Sequence, residues 1–131
     1  MAYLLDTHIV LWALGEENRL SPSLRNIISN ADSACFVSTA SLFEIAIKKK
    51  IGKLELAKPL TEYIREIERI GLHLLPISPN HLEFYDLIPL HDDHRDPFDR
   101  LIIAIAYFEK FTILSVDEKF SKYSEFVKVI Q

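Results

Sequence analysis

Four short runs constrain this chain more than any other feature: Ala2–Leu5, Ala34–Val37, Leu72–Ile77 and Thr112–Val116. Each is largely apolar instead of alternating with polar residues. A strand wetted on one face alternates, whereas a strand covered on both faces reads as a continuous apolar run. Between the runs lie helix starts. Ser21-Pro22, Ser78-Pro79 and Asp96-Pro97 each place a capping residue before a proline suited to the first helical position. Strands alternating with helices predict an α/β fold, a three-layer α/β/α arrangement around a mostly parallel central sheet. The 131 residues suit a single domain spanning 1–131.

The helices are expected over Thr7–Leu14, from Pro22 to Asn30, up to Ile51, over Pro59–Ile70, from Pro79 to Leu87 and from Pro97 to Phe111, with a last strand near Val127–Ile130. The helix ending at Ile51 has two possible starts. Ser41 with Glu44 three residues later matches a capping box, and Ser38 is the other candidate cap. Gly15, Gly52 and Gly71 are the only glycines, and each falls near a helix end. No glycine-rich phosphate loop can be assembled from them, which removes support for ordinary nucleotide-binding folds.

Charge narrows the function. The net charge is −4, which argues against holding nucleic acid by bulk charge alone. The charge is uneven. Residues 1–47 carry −3, residues 48–75 carry +3 and residues 76–131 carry −4. The central excess comes from Lys48, Lys49, Lys50, Lys53 and Lys58, read either as a solvated helix end or as a patch for a polyanion. Cys35 is the only cysteine and sits in an apolar run, so an inert buried thiol is expected and no cysteine zinc site is possible. No run reaches the ~18 apolar residues of a membrane span, and the first residues lack a signal-peptide pattern, so a cytoplasmic protein is expected.

Open parallel sheets bind ligands just past the carboxyl ends of their strands. Asp6 follows the first strand and Asp117 the fourth. Either can also be a helix cap. Glu44 lies on a helix whose other positions, Ala40, Leu42, Phe43, Ile45, Ala46 and Ile47, are apolar on nearly every side. A carboxylate there is costly to bury without a partner, and both a metal ion and Lys48 one turn on are candidates. Asp96 reads as the cap of its helix, with Asp99 in the first turn. Hard divalent ions take a few carboxylates and keep waters and phosphate oxygens. In phosphodiester hydrolysis one ion acidifies the attacking water and a second stabilises the leaving oxygen. Thr7 and Ser115 flank the strand-end acids, either to hold waters around a metal or as ordinary strand-edge hydroxyls. His91 and His94, with Asp92 and Asp93 between them, suggest zinc only weakly. They precede a proline-opened helix, which favours a solvated loop or a substrate contact.

These residues resemble the PIN-domain ribonucleases, in particular the VapC-like toxins of toxin–antitoxin pairs. Tyr3-Leu4-Leu5-Asp6-Thr7-His8 is similar to the family's first acidic strand. Ser38-Thr39-Ala40-Ser41-Leu42-Phe43-Glu44-Ile45-Ala46 is similar to its second acidic motif, Asp99-Arg100-Leu101-Ile102-Ile103-Ala104-Ile105-Ala106 to its third, and Leu114-Ser115-Val116-Asp117 to its fourth. The segment from His94 to Arg100 is typical of one branch. The resemblance runs in order over nearly the whole chain. It implies a Mg²⁺ or Mn²⁺ site on Asp6, Glu44, Asp99 and Asp117, with Asp96 near it. It also implies an RNA substrate, a homodimer and a small antitoxin partner. Candidate phosphate contacts are Lys48, Arg95 and Arg100, and Arg100 can instead meet a carboxylate. The rival readings are a non-catalytic RNA- or protein-binding module and a metal-dependent phosphatase. An aspartyl-phosphate enzyme usually needs an acid two residues after its nucleophile, where this chain has His8. With the four proposed ligands set aside, 15 basic residues face 15 remaining acids, so the acidic excess equals the proposed site.

Overall fold

Successive residues of each strand enter two different cores, one on each face of the sheet. The computed structural model describes residues 1–131. The strands are β1 (Ala2–Leu5), β2 (Ala34–Ser38), β3 (His73–Leu75), β4 (Thr112–Leu114) and β5 (Val129–Ile130). The helices are α1 (Thr7–Gly15), α2 (Pro22–Ser29), α3 (Thr39–Lys50), α4 (Leu60–Arg69), α5 (Pro79–Tyr85) and α6 (Pro97–Glu109), with 3-10 turns at Glu17–Arg19 and Glu118–Tyr123. Tyr3, Leu5, Cys35, Val37 and Leu114 face one way, against Ile9, Val10 and Leu14 of α1, Leu24 of α2 and Ile67 of α4. Leu4 and Ile113 face the other way, against Ile102–Ala106 of α6, Ile88, Phe120 and Tyr123. This two-sided burial is why the strands carry almost no polar positions, and each fully buried large side chain contributes about 1.5–3 kcal/mol. The three-layer α/β/α expectation holds, and every strand pairing is parallel.

Element ends differ from expectation for local reasons. β3 stops at Leu75 because Pro76 has no N–H to donate to a ladder. β4 stops at Leu114 instead of Val116, and β5 is only two residues long. α6 ends at Glu109, because Lys110 turns into the left-handed region at φ 63° and closes the helix. Ser38, not Ser41, caps α3, its side chain accepting from the Ala40 N–H at 3.0 Å. The chosen cap starts α3 directly at the end of β2.

The strand order is β3-β2-β1-β4-β5. The chain therefore builds outward from β1 in one direction, then returns to lay β4 and β5 on its other side. A crevice opens at the carboxyl edge where the winding reverses, between β1 and β4. α3 leaves β2 at that edge. α6, which precedes the parallel strand β4, also begins there. Four distant segments thus meet at one place.

Candidate metal centre

Asp6 leaves β1 while its N–H still donates to the Leu114 carbonyl at 3.0 Å, which locks it beside β4. One carboxylate oxygen, Oδ1, accepts from the Thr7 N–H at 2.7 Å and caps α1. The other, Oδ2, accepts from the Ser115 hydroxyl at 2.9 Å. The same Ser115 hydroxyl accepts from the Asp117 N–H at 3.0 Å. Ser115 thereby ties the two strand-end acids together. Asp117 accepts from the Lys119 N–H at 2.9 Å and caps the last 3-10 turn. The capping role and the crevice position coexist in both residues.

Glu44 is buried within α3. The Thr7 hydroxyl donates to its Oε1 at 2.6 Å, and Lys48 one turn on pairs with its Oε2 at 2.9 Å. The Ser41 hydroxyl lies 3.0 Å from that of Thr7, so Ser41 serves this cluster and not the helix start. Asp96 caps α6 through the Phe98 and Asp99 N–H groups at 2.9 and 3.4 Å. Asp99 in the first turn meets His94 instead, at 2.9 Å between Oδ2 and Nε2. Ligand atoms of His94, Asp99 and Asp117 lie within 4.8 Å of one another.

The charges report the same convergence. Burial pushes the Asp99 carboxyl up to about 7, helped by the negative charges of Asp96 and Asp6 and opposed by the His94 hydrogen bond. Burial also raises the Asp6 carboxyl, with the Glu44 charge adding to it and the Ser115 and Thr7 hydrogen bonds opposing. Burial alone would lower the Lys48 ammonium, but the hydrogen bond and charge of Glu44, with Asp96 and Asp99 beyond, outweigh it and raise it. Lys48 is the one lysine or arginine paired with any of these acids. Five carboxylates from four segments share one crevice with one ammonium. Such a set is a poor structural element and a good cradle for a hard divalent cation, which takes oxygen ligands and offsets the repulsion.

Several expectations need correction. Arg100 is not a surface cation for a phosphate. It is 4% exposed, its Nη2 donates to the His94 carbonyl at 2.9 Å, and its Nη1 lies 3.4 Å from the Tyr85 hydroxyl and the Arg95 carbonyl. Within this chain it pairs with no carboxylate. Thr7 and Ser115 do more than border the site, since each holds a carboxylate directly. Lys48 is engaged with Glu44, whereas Arg95 is free at the surface apart from a weak contact with Asp92. His94 does not lie in a solvated loop. Its ring is 2% exposed, and both nitrogens are bonded, to Tyr123 and Asp99. His91, Asp92, Asp93 and His94 do not gather as one ligand group: Asp92 and Asp93 are exposed, and His94 lies instead with Asp99 and Asp117. The sequence marks His94 as a weak zinc candidate or a substrate contact, but not as the partner of Asp99, and it carries no signal for Tyr123.

Comparison with known proteins agrees with this fold. The sequence profile of the PIN domain matches residues 3–125. Ribonuclease VapC22 of Mycobacterium tuberculosis is 28% identical over 116 residues, which cover 88% of this chain and 87% of that protein. Among solved structures, VapBC2 from Rickettsia felis bound to a promoter DNA fragment superposes with a TM-score of 0.67 at 16% identity, covering 99% of this chain and 98% of that one. FitAcB from Neisseria gonorrhoeae gives 0.62 at 20% identity, covering 98% and 96%. A toxin–antitoxin complex from Klebsiella pneumoniae gives 0.62 at 14%, with coverage of 98% and 96%. At these identities the structural likeness establishes the fold.

Proposed function

This chain belongs to the PIN-domain family, and from that premise we propose that it is a metal-dependent endoribonuclease, the toxin of a toxin–antitoxin pair, acting as one nuclease domain over residues 1–131. One observation carries the reading. Asp6, Glu44, Asp99 and Asp117 come from four distant segments and gather at the switch point of a parallel sheet: Ser115 links Asp6 to Asp117, Thr7 links Asp6 to Glu44, Asp99 and Asp117 offer ligand atoms within 4.8 Å, and burial, then like charge, raises the Asp6 and Asp99 carboxyls. These four residues would hold Mg²⁺ or Mn²⁺, with Asp96 beside them. An ion held there would supply Lewis acidity, lowering the pKa of a water and offsetting negative charge on phosphate oxygens. The chain supplies the frame. Ser115 and the Thr7 N–H fix Asp6, the Thr7 hydroxyl and Lys48 fix Glu44, and the cap at Asp96 fixes the start of the helix that carries Asp99. Arg95, and Lys48 when it turns from Glu44, meet RNA phosphates at the rim.

RNA as the substrate accords with the ribonuclease relative. A protein antitoxin is a proposed partner, in keeping with the toxin–antitoxin complexes that share the fold, and a second copy of this chain is the other. No helix is long and apolar enough to cross a membrane, and we place the protein in the cytoplasm with its RNA substrate. The test is cleavage of a mixed RNA substrate with and without chelator, comparing wild type with Asp99→Asn. Cleavage should require the divalent ion and fall at least 100-fold in the variant. Equal cleavage by both proteins, or cleavage indifferent to chelator, overturns the reading.

A further inference from the structure

Resting on the nuclease reading above, we infer that His94 and Tyr123 are positioning residues for Asp99, a relay that orients one carboxylate of the metal site without binding metal. The Asp99 Oδ2 lies 2.9 Å from His94 Nε2, and His94 Nδ1 lies 2.9 Å from the Tyr123 hydroxyl. With Asp99 ionised and His94 neutral, Nε2 carries the ring proton and donates to Asp99. Nδ1 then accepts from Tyr123, whose hydroxyl has a proton to give. In that tautomer neither ring nitrogen keeps a lone pair for a cation, although ligand atoms of His94, Asp99 and Asp117 lie within 4.8 Å of one another.

The relay is buried and braced. His94 is 2% exposed and Tyr123 fully buried, and the His94 ring packs edge-on against both Tyr123 and Phe120. Arg100 fixes the peptide that carries His94, donating to its carbonyl and to that of Arg95. Its buried guanidinium reaches the Tyr85 hydroxyl and the His94 and Arg95 carbonyls, while its Nε finds no partner. Asp99 uses one oxygen on His94, which leaves the other free. Without the ring, the side chain of Asp99 regains its rotamers in a crevice where Asp96 and Asp6 repel it. Partners behind a metal ligand are typically worth ~10–100-fold in metal affinity.

The experiment uses Mn²⁺ itself, titrated against the full chain and followed by the electron-spin-resonance signal of the free ion. His94→Ala should weaken Mn²⁺ about 10–100-fold, Tyr123→Phe by a few fold to about 10-fold, and Asp99→Asn more than either. His94→Gln puts an amide nitrogen where Nε2 stands and should restore most of the affinity, which a purely packing role for the ring does not predict. Spin-echo spectra of bound Mn²⁺ should lack the nitrogen modulation of a coordinated imidazole. If His94→Ala does not fold, Tyr123→Phe removes one oxygen atom and still decides the matter. Unchanged affinity in His94→Ala or Tyr123→Phe, or an imidazole nitrogen on the bound ion, overturns the relay while the nuclease site stands. Wild type that binds no Mn²⁺, or binds it no better than Asp99→Asn, overturns the site and the relay together.

Discussion

Lowering the pH from about 7.5 to about 5 should weaken divalent-cation binding by roughly two orders of magnitude, well before the fold is lost. The Asp99 carboxyl is pushed up to about 7, by burial first and then by Asp96 and Asp6. A cation binds its ionised form. With a pKa near 7, the ionised fraction falls from roughly three-quarters at pH 7.5 to about 1% at pH 5, a loss of about 2.5 kcal/mol in apparent affinity. Asp6, raised for the same reason, adds to the loss. The metal-free protein should show the opposite trend in stability. The folded-state pKa of Asp99 exceeds its unfolded value, so between about pH 4 and pH 7 the folded chain holds the extra proton. Stability from this group is greatest below that window and declines as pH rises through it, by up to about 4 kcal/mol. Saturating Mg²⁺ should reverse that decline. The assay is calorimetric titration of Mg²⁺ and Mn²⁺ across this pH range, in buffers of different ionisation enthalpy so that released protons are counted. About half a proton should leave Asp99 per ion bound near pH 7, and about one near pH 6. Asp99→Asn should lose that release and most of the pH slope. Affinity flat from pH 5 to 7.5, or the same slope in Asp99→Asn, refutes the reasoning.

Other parts of the molecule give independent tests. Thr7→Val removes the hydroxyl donor to buried Glu44 and should cost about 1–3 kcal/mol in urea denaturation, more than an ordinary Thr-to-Val change at a strand edge. Lys110→Gly relieves a left-handed cap and should gain about 0.5–1 kcal/mol, or roughly 2 °C in Tm by calorimetry, after allowing for the freedom glycine adds to the unfolded chain. Cys35 is 2% exposed and burial pushes its thiol up to about 11, so a disulfide reagent at about pH 8 should find no thiol in the native protein and one equivalent in urea. Rapid labelling of the native chain would show that β2 opens readily.

How much was legible depends on the range of the interaction. The four acids could be picked out singly, because each stood at a position with its own local meaning: a strand end, a helix start, an apolar helix. Local meaning also left each ambiguous. Asp6, Asp96 and Asp117 do cap, and Glu44 does pair with Lys48. Caps and ion pairs are made within four residues and are readable from the chain. Their sharing of one crevice is made across 109 residues in the Ser115–Asp6 hydrogen bond and 37 in the Thr7–Glu44 bond. No local pattern encodes such a distance.

The two histidine-region misreadings have the same origin. His94 and Arg100 belong to a polar segment, and polar segments are usually solvated. Here α5, α6 and the last 3-10 turn close over them, and their polar atoms find Tyr85, Tyr123, Asp99 and backbone carbonyls. By itself the sequence determined the layered parallel architecture, because burial on both faces leaves polar positions almost nowhere in a strand. It also determined which acids were out of place. Only the tertiary structure decided which hydroxyl holds which carboxylate, which basic residue is surface and which is buried brace, and that a histidine stands behind Asp99. Those outcomes rest on side chains meeting across the sheet edge, where a hydrogen bond needs its partner within about 3 Å, and only the packed layers set that distance.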